Sequence, residues 1–469
     1  MKNNEQYKRL IRFVMVFVLF AIQMSIYYFV WRKYYNGHMR VPYDVKGNYM
    51  IAAVYGIVLL LFSNVYGGLK VGYLRVWDLA YSQILTSLSA NFMMYLQIVL
   101  LIKVFYSPMP LIVMLLGEML VIIVWSIAVT RIYQQIYPPR KVLLIYGDRP
   151  STALMDKLDT RLDRFMVCQS VHVSDGLENI EQKALQYEGV VICDVPSQFR
   201  NHLLKYCYEH SIRTYTVPKI SDIIIRSSEN LHLFDTPLLL SRNNGLTIEQ
   251  RIVKRLMDII CSIAALVITS PIMLITSLII KGYDKGPVFF KQQRCTKDGK
   301  IFDIYKFRSM IVDAEKAGYS IPATKRDPRI TPIGRVIRAA RIDELPQFIN
   351  ILRGDMSLVG PRPERIEHVR KYSEDIPEFI FRMKVKGGLT GYAQVYGKYN
   401  TTAYDKLKLD LMYIENYSLL LDIEILFKTL KILLIKDSTE GFSDASAQAM
   451  FEADQEAKKG KEKHEPGEN

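Results

Sequence analysis

The chain has 469 residues, a formal charge of +14, 50% hydrophobic residues and only 23% charged ones. That length suggests about three domains, and the apolar content excludes an intrinsically disordered chain. Five cysteines, Cys168, Cys193, Cys207, Cys261 and Cys295, are scattered without a Cys-x-x-Cys, so neither a disulfide framework nor a zinc cluster is expected and a reducing compartment fits. The mean hydropathy of +0.07 averages very unlike segments and conceals a membrane protein.

From Phe13 to Trp31 nearly every residue is apolar, after the basic Lys2, Lys8, Arg9 and Arg12. The stretch is long enough to cross a hydrocarbon core of ~30 Å as a helix. It is too long and too aromatic for a cleaved leader. Further spans are predicted at Tyr49–Tyr66, Leu79–Val104 and Leu111–Thr130, the last two parted by Ser107-Pro108-Met109-Pro110. Four spans (1–135) bring both ends to one face, and the basic residues there, including Arg131, Arg140 and Lys141, argue that this face is cytoplasmic. Arg32, Lys33, Arg40 and Lys46 would then lie outside.

Across 140–241 short apolar runs alternate with polar, helix-like segments. Val142–Tyr146, Ser170–Val173, Val190–Val195 and Thr214–Val217 read as buried strands of a small parallel α/β, Rossmann-like unit. Its first turn, Gly147-Asp148-Arg149-Pro150-Ser151, lacks the glycines that admit a pyrophosphate, so a regulatory or assembly role is expected rather than cofactor binding.

A second apolar stretch, Ile259–Ile280 within 247–281, carries Ser270-Pro271 at its centre. Proline removes a backbone donor, so a sharp bend is expected, with nearby polar groups or water satisfying the freed carbonyl. A fifth full span is one reading. Basic residues on both flanks, Arg251, Lys254, Arg255, Lys281 and Lys285, favour a segment that enters and leaves through one leaflet, with Lys254 and Arg255 pairing Asp258. From Lys281 to Lys371 there are 20 Lys+Arg against 11 Asp+Glu, a balance suited to anionic headgroups and phosphates. Nucleic acid is not expected as a partner, for lack of a binding module. The polar tail, 437–469, is expected to be disordered.

The chemistry concentrates in 331–363. Thr331-Pro332 is a good helix start, and Arg335, Arg338 and Arg341, spaced by three, predict a cationic stripe on that helix. Asp343-Glu344 precede Leu345-Pro346, where another helix should begin and run to Gly354. Two carboxylates at a helix start among arginines can be a cap with solvated charges. They can equally be a nucleophile that forms an acyl phosphate beside a partner that holds a divalent metal.

An ordered series of motifs carries a resemblance: Phe289-Phe290-Lys291-Gln292-Gln293-Arg294, Tyr305-Lys306-Phe307-Arg308-Ser309-Met310, Asp343-Glu344-Leu345-Pro346-Gln347, the run from Gly354 to Pro363, and Gly388 to Val395. From Thr247 to Lys436 the chain resembles the monotopic phosphoglycosyl transferases, the bacterial sugar transferase family. The spans and α/β unit resemble its large members. The resemblance implies transfer of a hexose-1-phosphate from a UDP-sugar to undecaprenyl phosphate, releasing UMP and starting capsule, exopolysaccharide or O-antigen synthesis. It implies Asp343 as the nucleophile, Glu344 as its partner and ligand to Mg2+, and Arg338 and Arg362 on substrate phosphates. Arg341, Lys306 and Arg308 complete the expected substrate-binding set.

Ser270-Pro271 match the break of a re-entrant membrane helix, with a mainly helical catalytic domain (282–436) on the cytoplasmic face of the inner membrane. A homodimer is expected by the same likeness. Ile342, Gly387 and Tyr392 depart from the common pattern beside these motifs. Two other readings stand at this point: a membrane glycosyltransferase that releases UDP, and a non-catalytic scaffold for polysaccharide assembly.

Overall fold

A computed structural model describes residues 6–147, 152–241, 245–312, 327–397 and 401–433. The expected tail at 437–469 and most of the turn at 147–151 lie outside them. The chain divides into two compact units at Lys219 and Ile220.

The first unit begins with α1 (Lys8–Val30), α2 (Val45–Tyr66), α3 (Val76–Ile102) and α4 (Met109–Ile136). Each is long and apolar enough to cross a membrane, α1 with its continuation to His38. The predicted spans fall inside all of them save the end of the third, which stops at Ile102. Asp44 caps α2 by accepting from the Gly47 amide at 2.9 Å, and Pro110 sits in the first turn of α4 where its missing donor is harmless. The bundle interior is tied by polar groups as well as by packing. Tyr55 of α2 donates to Glu118 of α4 at 2.7 Å, and Asn91 of α3 donates to the other Glu118 oxygen at 2.9 Å. Without water to solvate them, such groups must satisfy each other, which fixes helix register.

An α/β unit follows: β1 (Arg140–Tyr146), α5 (Thr152–Asp159), β2 (Phe165–His172), α6 (Leu177–Ala184), β3 (Gly189–Cys193), α7 (Ser197–Glu209) and β4 (Arg213–Thr216). The four strands form one parallel sheet in the order β2-β1-β3-β4. Val142, Leu143, Leu144 and Ile145 are fully buried, as a central strand covered on both faces requires. The expected boundary at residue 241 differs. Ile220 and Ile223 of α8 (Ile220–Arg226) join the core of the second unit, so the α/β unit ends with β4.

The second unit continues with an antiparallel ribbon, β5 (Glu229–Leu233) and β6 (Thr236–Leu240), then α9 (Ile248–Asp284). Thr247 and Gln250 close a reciprocal capping box at the start of α9. Helix is present on both sides of Pro271, which lies inside α9. The Ser270 hydroxyl donates to the Val267 carbonyl at 2.8 Å, the acceptor that Pro271 leaves without its usual amide.

The expected pairing of Lys254 and Arg255 with Asp258 is corrected. Lys254 donates to Asp422 at 2.5 Å, and Arg255 donates at 2.6 Å to the carbonyls of Ile351 and Leu352. Asp258 instead accepts from the Ser357 hydroxyl and the Leu358 amide. Buried charges take the partners that enclose them, and here these come from elsewhere in the fold.

Beyond α9 lie the antiparallel pair β7 (Phe289–Cys295) and β8 (Ile301–Phe307), then α10 (Pro332–Ala339), α11 (Gln347–Arg353), β9 (Ser357–Val359), α12 (Ile366–Asp375), β10 (Gly388–Thr390), α13 (Tyr392–Tyr396), α14 (Ala403–Glu415) and α15 (Leu419–Leu433). β9 and β10 pair in parallel, Ser357 with Gly388 and Val359 with Thr390. A side chain on Gly388 would stand 2.1 Å from the Gly360 amide. Two motifs far apart in sequence therefore meet backbone to backbone, and the glycines permit it.

Candidate active site

Thr331 caps α10 by accepting from the Gly334 amide at 2.9 Å, with Pro332 at the first helical position. The helix stops at Ala339. Arg341 adopts a left-handed conformation (φ 54°, ψ 23°), uncommon for a residue with a Cβ, and starts a single 3-10 turn, Ile342–Glu344. The expected stripe is thus corrected: Arg335 and Arg338 lie on α10, while Arg341 lies beyond it in a reversed backbone. Arg335 is exposed and Arg338 half-buried.

Pro346 opens α11 and Gly354, at φ 88°, closes it. The carboxylates occupy the turn before this helix and are held by side-chain cations. Their flanking residues Ile342 and Leu345 sink into an apolar cluster with Ile280, Phe307 and Ile337, which fastens the turn beside the C-terminal part of α9.

Three elements converge on the pair. Lys306 comes from β8, which Asn350 of α11 braces by accepting from the Tyr305 amide at 2.9 Å. Arg362 comes from the loop after β9. The Arg362 guanidinium donates to Glu344 Oε1 at 2.5 Å, and Lys306 Nζ donates to the same oxygen at 3.2 Å while standing 3.9 Å from Asp343 Oδ2. Arg338 and Arg341 exert their fields on Asp343 and Glu344 respectively, and among the described residues the Arg338 side chain makes no hydrogen bond or ion pair. Four cations surround two carboxylates, leaving a surplus of positive charge suited to a phosphate or diphosphate.

The two carboxylates are pushed apart electrostatically. Burial raises the pKa of Glu344, yet Arg362 and Lys306 outweigh burial and hold it well below the usual carboxylate range. Asp343 goes the other way. Burial raises it, and the Glu344 charge adds to that against the opposing pull of Lys306 and Arg338. Burial also lowers the Lys306 ammonium, partly offset by Glu344. Such a split between adjacent titratable groups marks a division of chemical roles.

Among the described residues no cluster of three or more His, Cys, Asp or Glu forms a ready metal cage. Magnesium does not need one, being bound commonly by one or two carboxylates with water and substrate phosphates. Both Glu344 contacts fall on Oε1, and Asp343 makes no hydrogen bond among the described residues, so Glu344 Oε2 and Asp343 fit that donor set.

Arg308, expected on a substrate, is corrected to a strut. Its guanidinium is buried, pairs with Asp284 at the end of α9 and lies against Gly286. Ser270 and Pro271 belong to α9, outside this cluster. Sequence reading missed Arg382 and Glu364. Arg382 pairs with Asp410 at 2.7 Å and reaches Glu364 at 3.5 Å, and Glu364 pairs with Lys406. Asp410 takes its place here only through the 28-residue bridge to Arg382.

A family model described as bacterial sugar transferase matches residues 249–436. The chain is 38% identical over 268 residues to the UDP-N-acetylgalactosamine-undecaprenyl-phosphate N-acetylgalactosaminephosphotransferase of Aeromonas hydrophila, covering 55% of this chain and 62% of that one. It is 34% identical over 303 residues to the UDP-glucose:undecaprenyl-phosphate glucose-1-phosphate transferase of Klebsiella pneumoniae, covering 64% and 60%. An uncharacterised sugar transferase of Bacillus subtilis is 39% identical over 197 residues, which are 42% of this chain and 95% of the relative. The match to the first two relatives thus spans about three fifths of their own length.

Proposed function

The chain belongs to the bacterial sugar transferase family, and on that premise we propose that it moves a hexose-1-phosphate from a UDP-sugar to undecaprenyl phosphate with release of UMP. The observation that carries this reading is the geometry of the pair: Glu344 gripped by Arg362 and Lys306, beside a half-buried Asp343 that burial makes more basic. The Aeromonas hydrophila and Klebsiella pneumoniae relatives are named for undecaprenyl phosphate with an N-acetylgalactosamine and a glucose donor respectively.

An Asp343 oxygen attacks the β-phosphorus of the donor, forming an acyl phosphate. The bond from that phosphorus to the bridging oxygen breaks, and UMP leaves with the electron pair. An oxygen of undecaprenyl phosphate then attacks the same phosphorus and returns the Asp343 carboxylate. Lys306, Arg338, Arg341 and Arg362 surround the region where charge accumulates on the phosphoryl oxygens, and their fixed positions stabilise it without reorganisation. Glu344 Oε2 and Asp343 would hold magnesium, which supplies charge neutralisation of the diphosphate when bound. One phosphoanhydride replaces another, so the reaction is close to balanced and reversible.

In this reading α9 dips into one leaflet and returns. Both of its ends are fastened to the same domain, through Arg255 and Asp258 at one and Asp284 at the other, which supports a re-entrant path over a full crossing. A catalytic domain so anchored works at the depth of the lipid phosphate on the cytoplasmic side, where UDP-sugars are found, turning a bulk encounter into an interfacial one. Purified protein supplied with undecaprenyl phosphate, Mg2+ and a panel of UDP-hexoses tests the proposal. UMP release is expected with one or more donors, and UDP release would indicate ordinary glycosyl transfer instead.

A further inference from the structure

The first unit carries a second cationic cleft that the transfer reaction does not use. The start of α1, the loop between α2 and α3, and the end of α4 lie at the same end of the helical bundle, and the strand starts of β1 and β2 close over them. Together they enclose a space of about 570 Å³ including its open mouth. Its walls are aromatic and its charges positive. Lys8 stands 5.0 Å over the Tyr137 ring, and Arg164 lies 4.5 Å over Tyr73 and 5.2 Å over Phe165. Arg12, Arg164 and Arg213 are all near enough to Lys8 for mutual repulsion. Among the described residues neither Lys8 nor Arg164 forms an ion pair. The carboxylate lining the cleft, Asp163, is already gripped by two nitrogens of Arg161 at 2.8 Å.

One polar group points to what is missing. Thr130 lines the cleft, is 6% exposed, and its hydroxyl has no hydrogen-bond partner among the described residues. A buried threonine on a helix ordinarily donates to the carbonyl four residues back. Lys8 and Arg164, two like charges with no ion pair among the described residues, beside an unsatisfied hydroxyl, call for an anion that accepts several hydrogen bonds at once.

From this geometry we infer that the cleft binds a phosphate group, with the rings of Tyr73 and Tyr137 flanking what the phosphate carries. The location, at one end of membrane-spanning helices, makes a phospholipid headgroup the leading source, since basic pockets between such helices recruit anionic lipids. A soluble diphosphate offers the same chemistry.

The test uses the full chain in detergent, followed by native mass spectrometry and thermal unfolding with dioleoylphosphatidylglycerol, dioleoylphosphatidylcholine or inorganic pyrophosphate. Wild-type protein is expected to hold the anionic lipid in preference to the zwitterionic one. Lys8→Gln with Arg164→Gln should weaken that binding about 30-fold, at about 5-fold per removed charge. If pyrophosphate alone protects wild-type protein and loses its effect in the double variant, the phosphate is soluble. Thr130→Val keeps size and charge, so it decides the matter should the double variant fail to fold: a several-fold loss of anion binding supports the site. Unchanged binding of both anions in the variants, or equal retention of the zwitterionic lipid, overturns the inference.

Discussion

The Arg382 Nη2 donates to the backbone carbonyl of Arg362 at 3.0 Å and, together with Nε, pairs with Asp410, so the residue that clamps Glu344 is itself held by a buried ion pair. Arg382 does not touch the reacting pair. It is a positioning residue, and Arg382→Ala should lower the rate of UMP release at least ~10-fold because a clamp misplaced by even ~1 Å is costly. Arg382→Lys, which keeps the charge but loses the fork geometry, should recover part of the rate without restoring it. Steady-state UMP release from the two variants checks both outcomes.

In the proposed reaction Asp343 opposes stability while serving reactivity. Its folded pKa is raised, so its ionised form costs stability at neutral pH, and that cost disappears as pH falls through the raised value. Asp343→Asn should therefore abolish UMP release and raise the thermal midpoint by a few degrees, given ~2–4 °C per kcal/mol for a domain of this size. Thermal unfolding in detergent at pH 7, run beside the activity assay, measures both.

The same shift sets an acid limb for the rate. A nucleophilic Asp343 must be ionised, so UMP release should fall as pH drops through a value above the ordinary aspartate range. Glu344 contributes stability present above its unfolded pKa and lost only as pH falls through its far lower folded one, so it stays charged across that window. The initial rate plotted against pH should show one acid-limb ionisation, and replacing Lys306 with Met should move it upward by removing a cation that favours the charged form.

The Lys254–Asp422 pair joins α9 to α15 and is almost fully enclosed. Asp422→Ala should cost about 3–5 kcal/mol by leaving a buried ammonium unpaired. Lys254→Met with Asp422→Leu should recover most of that loss. Thermal midpoints of the single and double variants provide the check.

Much of this architecture was legible in one sequence. Long apolar runs announced the helices long and apolar enough to cross a membrane, Thr331-Pro332 and Gly354 announced where helices begin and end, and the polar group expected near the carbonyl that Pro271 frees is the Ser270 hydroxyl. The motif series pointed to Asp343, Glu344, Lys306 and Arg362, which the fold brings together. The partners of buried charges were not legible. Arg308 reaches Asp284 across 24 residues and Lys254 reaches Asp422 across 168, distances at which no local periodicity carries information. Arg341 was misread for a different reason: spacing by three assumes a continuing helix, and the backbone reverses there instead.

The central claim is a phosphosugar carried on Asp343. Intact-protein mass spectrometry after incubation with a productive UDP-sugar and Mg2+, without undecaprenyl phosphate, tests it most directly. The account predicts a mass gain of one hexosyl phosphate that maps to Asp343, accompanied by UMP and reversed by adding undecaprenyl phosphate. Turnover by wild-type protein with no such adduct at any time point, or an adduct that survives in Asp343→Asn, would contradict it.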